Sequence, residues 1–208
     1  YYDLQTGLYN RNYFVRLLGE FIRRAEEENE TVAVLFIDFD DFRRINDGMG
    51  IISGDELVQL FGQFLSDLMA DNIIISHFNS DIFCIGIYSP CGARSVETIY
   101  KTIHERLKKP FKLSGGPEIF LTVSVGVAEY PEASTNTLEL INCAEIVMFK
   151  AKSMGKDKVQ YYDRTAKTLG RKQEKGLLER LSANKAKIRE KEAKEPRESQ
   201  KTRQEPGL

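Results

Sequence analysis

The sequence of 208 residues holds only two histidines and three cysteines. With so few imidazoles and no CxxC pair, zinc has no ligand set to draw on. Any metal must be held mainly by carboxylates, which suits Mg²⁺ better. Cys84, Cys91 and Cys143 each lie within or beside apolar sequence and read as buried free thiols, as a reducing cytoplasm allows. No apolar run approaches the roughly 18 residues that a membrane span needs, and the first residues carry no signal-peptide pattern. A cytoplasmic segment making no membrane contact of its own is therefore expected, although a longer parent protein could be membrane-anchored. The sequence opens on Tyr1 rather than Met, so an excerpt from a longer protein is expected.

Residues 165–208 lack aromatic residues altogether and carry 13 Lys+Arg against 7 Asp+Glu, which leaves 17 against 24 for residues 1–164. The first part is thus acidic and the last part basic. Without rings for stacking, and with charges of both signs, the basic part reads as a charged, partly helical linker or tail rather than a grip on nucleic acid. No nucleic-acid partner is expected. An apolar content of 41% supports one substantial core, placed in residues 1–164.

That core has a legible pattern. Phe14, Leu17, Leu18, Phe21 and Ile22 recur at helical spacing after Asn10, a natural cap. TVAVLFIDFD is long and apolar enough for a buried strand and ends in Asp38, Asp40 and Asp41. A short helical turn through Phe42–Asp47 and a Gly-rich bend lead to Gly54-Asp55-Glu56 and a second helix to about Ala70. Ile73–Phe78 and Phe83–Tyr88 read as strands of a hairpin joined by four residues. Ser95–Lys109 is helical, Ile119–Ala128 a strand, Thr137–Ser153 a helix, and Val159–Tyr161 an edge strand. The predicted fold is an α/β sandwich whose central sheet is mostly antiparallel, because a hairpin excludes a purely parallel one.

Two carboxylates stand out by position. Asp38 ends the buried strand and Asp81 sits at the tip of the hairpin. Acids at adjacent strand ends hold Mg²⁺ against a triphosphate in phosphoryl-transfer sites. Turns and strand ends also favour acids for local reasons, and spacing alone leaves both readings open.

The stretches DLQTGLYNR (Asp3–Arg11), FIDFDDFRRINDGMG (Phe36–Gly50), SGDEL (Ser53–Leu57), VSVGVAEYP (Val123–Pro131) and MFKAKSMGKDKV (Met148–Val159) occur in that order. In this the chain resembles GGDEF domains, the diguanylate cyclase domains of bacterial cyclic di-GMP signalling, over residues 3–163. The resemblance implies a fold like that of nucleotidyl cyclases and polymerase palms, and a homodimer in which two bound GTP molecules face each other. It makes Asp38 a metal ligand, Asn46 and Asp55 the pair that reads the guanine edge, and Lys152 a phosphate contact. Lys156 stands where the family usually has arginine, and Ile51 where it has histidine.

NSDIF (Asn79–Phe83) occupies the place of the signature itself. Asp81 matches the acid needed for catalysis and metal binding, whereas Ile82 replaces a glutamate and Asn79 and Ser80 replace two glycines. Glycine accepts φ > 0 and lets a nucleotide approach the backbone, which serine does poorly. Fewer carboxylates hold Mg²⁺ less well, so a weakened metal site and little or no cyclase activity are expected. Ala70 and Ile73 occupy the two positions of the family's RxxD product-inhibition site, which is therefore absent. The expectation is a catalytically degenerate GTP-binding or dimerising regulatory module, paired with an EAL phosphodiesterase domain in the same or a partner chain. A weakly active diguanylate cyclase and a purely structural interaction module are the rivals. Asn46 and Asp55 as caps, Lys152 and Lys156 as helix-dipole partners, and Gly48, Gly50 and Gly54 as loop-shapers are the plainer readings of those residues.

Overall fold

The computed structural model describes residues 1–91, 95–116 and 118–163. Along the chain come β1 (Tyr9–Asn10), α1 (Arg11–Glu28), β2 (Val32–Phe39), α2 (Phe42–Met49), α3 (Ile51–Ser66), β3 (Ile73–Asn79) and β4 (Ile82–Tyr88). Then follow α4 (Val96–Leu107), β5 (Phe111–Lys112), β6 (Glu118–Ile119), β7 (Val123–Tyr130), α5 (Thr137–Ser153) and β8 (Lys158–Tyr161). The expected linker, residues 165–208, lies outside the described residues.

The main sheet runs β1-β3-β4-β2-β7-β8, with β5 and β6 forming a separate two-stranded ribbon. Strand β2 is buried along its whole length because it pairs antiparallel with both β4 and β7 and is covered on both faces. Its side chains alternate between two cores. Ala33, Leu35, Ile37 and Phe39 meet Leu57, Phe61 and Ile103 from α3 and α4, whereas Val32, Val34 and Phe36 meet Phe14, Leu18, Leu140 and Met148 from α1 and α5. The same alternation puts Asp38 on the α1/α5 side. The three interior pairings are antiparallel, and only the outer strands β1 and β8 pair in parallel.

Local signals account for the helices. Asn10 accepts from the Tyr13 N–H, and Phe14, Leu18, Ile22 and Ala25 form the buried stripe of α1. Asn136 caps α5 by accepting from the Leu138 and Glu139 N–H groups. Helix α5 lies so close on β7 that a Cβ at Gly126 would stand 2.0 Å from the Ala144 carbonyl oxygen. Only glycine permits this approach, and it brings the end of α5 over the end of β2.

Several boundaries differ from the expectation. Helix α2 runs to Met49 and α3 starts at Ile51, so the Gly-rich bend shrinks to Gly50 at φ +86°, while Gly48 and Gly54 are helical. Helix α3 ends at Ser66, not near Ala70. The segment read as one strand from Ile119 is broken between β6 and β7. The two-residue strands β1, β5 and β6 are too short for any periodicity to announce them. Cys84 and Cys143 are buried, but Cys91 is exposed, contrary to the reading of three buried thiols. Among the described residues, no helix is long and apolar enough to cross a membrane.

Candidate nucleotide and metal site

The hairpin tip is tighter than its sequence suggests. Strands β3 and β4 continue to Asn79 and Ile82, leaving a two-residue turn of Ser80 and Asp81. The ladder shifts register between His77 and Asn79, a bulge that absorbs Phe78. Ser80 carries φ +45°, the left-handed region expected at this turn and one that serine adopts at a cost. The Asp81 carbonyl accepts from the Phe39 N–H at 3.2 Å, tying the turn to the end of β2.

Asp38 and Ile82 are direct cross-strand partners. The Asp38 carboxyl neighbours that of Asp81, and Lys152 from α5 donates to Asp38 Oδ1 at 2.6 Å and to the Phe39 carbonyl at 3.0 Å. Burial pushes the Asp38 carboxyl up to about 6, with Lys152 pulling it down and the adjacent Asp81 adding to the rise. Lys156 reaches Asp41 at 2.6 Å, and that ion pair holds the Asp41 carboxyl below the ordinary aspartate range. Asp38, Asp81 and Lys152 therefore form one cluster, with the Asp41–Lys156 pair beside it.

Asp40 lies between these acids in sequence but plays a different part. It is buried and accepts from Thr122 Oγ1 at 2.8 Å, Ser124 Oγ at 2.7 Å and the Asp157 N–H at 3.0 Å. Three donors occupy most of its lone-pair sites, so it fastens the end of β2 to β7 and to the loop after α5.

Asn46 and Asp55 sit on α2 and α3, which pack together immediately beyond β2. The Asn46 carboxamide occupies the space above Gly54, where a Cβ would come within 1.9 Å of its oxygen. That oxygen is buried and has no hydrogen-bond partner. A buried acceptor without a donor costs free energy that a bound donor would recover. Asp55 is exposed and accepts from Gln5 Nε2 at 3.1 Å, a contact that no sequence motif pointed to. Ile51 and Ile52, at the start of α3, are strongly exposed.

The donor set at the β2 end consists of two neighbouring carboxyls and the Phe39 carbonyl. Mg²⁺ bound with substrate phosphates ordinarily uses one or two carboxylates and completes its shell with phosphate and water. Asp38 and Asp81 fit that role. Among the described residues, no group of three or more His, Cys, Asp or Glu forms a self-sufficient metal cage.

Comparison with known proteins agrees with this geometry. The family model described as "Diguanylate cyclase, GGDEF domain" matches residues 1–158. The cyclic di-GMP phosphodiesterase NbdA of Pseudomonas aeruginosa is 28% identical over 163 residues, which are 78% of this chain and 21% of that protein. The probable diguanylate cyclase DgcC of Escherichia coli K12 is 30% identical over 158 residues, 76% of this chain and 42% of that protein. The chain thus spans well under half of these relatives. Among solved structures, the GGDEF domain of TpbB (YfiN) from P. aeruginosa superposes with a TM-score of 0.76 at 25% identity, covering 81% of this chain and 98% of that one.

Proposed function

Because the chain belongs to the GGDEF family, the diguanylate cyclase domains of cyclic di-GMP signalling, we propose that it is a regulatory module that binds GTP without efficient turnover. The observation that carries this reading is the buried, unpartnered Asn46 oxygen, which packs against Gly54, the residue before Asp55. A guanine edge offers two adjacent donors, its ring N–H and its exocyclic amine, together with a carbonyl acceptor. The Asp55 carboxylate accepts from the donors, and the Asn46 carboxamide can both accept and donate.

The triphosphate would extend toward Lys152 and Lys156, whose charges now rest on Asp38 and Asp41. Asp38 and Asp81 would hold Mg²⁺, which supplies charge neutralisation to the phosphates when bound. Ile82 supports the loss of turnover. It occupies the cross-strand position next to Asp38, where a glutamate would add a further carboxylate. The left-handed Ser80 adds side-chain bulk where a nucleotide would need to approach the backbone. Such a module acts through what it touches, a second copy of itself or an EAL phosphodiesterase domain in the same or a partner chain.

Calorimetric titration with GTP in Mg²⁺, with ATP as control, tests the reading. Micromolar binding of GTP alone is expected, and Asp55→Ala should weaken it by about 1–3 kcal/mol. Equal binding of GTP by parent and variant would show that guanine is not read at Asp55. Cyclic di-GMP formed from GTP, and lost on Asp81→Ala, would instead establish a weakly active cyclase.

A further inference from the structure

Helix α5 is apolar on two faces, and the sheet covers only one of them. Leu140, Ile141, Ala144 and Met148 are buried with Val34 and Phe36 of β2 in one core. On the outer side Leu138, Ile146 and Phe149 are 55%, 42% and 41% exposed. With the exposed Asn142 they recur at steps of four, four and three residues, which makes one stripe along a helix. A helix that is apolar all round is ordinarily covered all round. Helix α1 beside it shows the contrast, because its outer face is charged and paired within itself, Arg16 with Glu20, Arg23 with Glu27 and Arg24 with Glu28. Glu139 and Lys150 flank the α5 stripe, are exposed, and enter no ion pair among the described residues.

We propose that this outer face of α5 is a self-complementary surface on which two copies of the chain pair, with their α5 helices antiparallel. Leu138 and Phe149 are eleven residues apart, about three turns, and so lie on one flank of the stripe. Glu139 and Lys150 are also eleven apart and lie on the other flank. A two-fold axis crossing the stripe near Ala144 turns the helix end for end and lays each flank on its own copy. In that single register Leu138 meets the second copy's Phe149, Glu139 meets its Lys150, and Ile146 sits close to the axis. A flank holding one acid and one base matches its own reverse better than a surface of one charge sign, which points to a second copy as the occupant.

The pairing has a consequence for the candidate nucleotide site. Lys152, which bonds Asp38, lies eight residues beyond the axis, toward the C-terminal end of α5. In an antiparallel pair the two Lys152 positions are therefore about 24 Å apart along the helices. The two sites sit at opposite ends of the seam and do not meet. This differs from the dimer that the GGDEF resemblance implies, in which two bound GTP molecules face each other. Pairing through α5 thus holds two nucleotides apart, as a module without efficient turnover would.

The seam needs no nucleotide, so its test is independent of GTP binding. Sedimentation equilibrium of the full, nucleotide-free chain measures it. One helix pair is a small interface, and a dimer with a dissociation constant on the order of 10 μM is expected. Lys150→Glu sets two acids against each other at both ends of the flank and should weaken the dimer about tenfold, as should Glu139→Lys. The two substitutions together restore opposite charges and should return the constant to within about threefold of the parent's. Ile146→Asp should give a monomer that melts like the parent, because the residue is exposed. A chain that stays monomeric at a concentration on the order of 100 μM overturns the proposal. So does a dimer that Ile146→Asp and Lys150→Glu leave intact, or one that the double exchange does not restore.

Discussion

Glycine 54 and aspartate 38 show how single positions divide between folding and binding. The nearest atom to a Cβ at Gly54 is the far end of the Asn46 side chain, which can swing aside. Gly54→Ala should therefore leave the thermal midpoint little changed while cutting GTP affinity about tenfold, as calorimetry beside a melting curve would show. Asp38 acts through its proton. Since burial raises its carboxyl to about 6, the folded chain binds that proton more tightly than the unfolded chain does. Its contribution to stability therefore falls as pH rises from the ordinary aspartate range to about 6, and is level above. Asp38→Asn keeps an acceptor for Lys152 and removes this dependence. Denaturant unfolding should find the variant more stable than the parent near neutral pH, on the order of 2 kcal/mol, with the two converging near pH 4.

Elements matter here through their ends. Strand β2 carries Asp38 toward α5 near its end, and the turn that follows at Asp40 leaves that carboxylate bonded to Thr122 and Ser124. The close seat of α5 at Gly126 places Lys152 over that end. Register then decides the signature, because the β2–β4 ladder sets Ile82 against Asp38. Ile82→Glu would put a carboxylate beside one already pushed up by burial, so the variant should melt below the parent without metal. Mg²⁺ should restore much of that loss in the variant and have less effect on the parent. A melting point that ignores Mg²⁺ in Ile82→Glu would mean that the two side chains do not share a cation.

For the molecule as a whole, a ligand that binds only the folded state raises stability by mass action. GTP at about one hundred times its dissociation constant adds about 2.7 kcal/mol. For a chain of this size that is roughly 5–10 °C in thermal midpoint. Scanning fluorimetry of the full chain in Mg²⁺ should show such a rise with GTP and none with ATP. A midpoint that neither nucleotide moves would mark a module working by protein contact alone, and an equal rise with both would mean that guanine is not read.

The sequence by itself determined the long elements and the family. Apolar spacing marked α1, β2, α4 and α5, and ordered motifs such as DLQTGLYNR, SGDEL and NSDIF carried the resemblance, because both are local patterns. It also placed each candidate residue on an element, with Asp38 at a strand end and Asp81 at a turn. What only the tertiary structure decided depends on residues far apart in the chain. Gln5 meets Asp55, Lys152 meets Asp38, Asp40 is taken up by Thr122 and Ser124, and His77 bridges Asp3 to Ser80. Sheet order and register produced these pairings, and a one-residue slip would turn each strand's side chains to the opposite face. That is why the residue types were legible in advance while the partners sharing their lone pairs and protons were not.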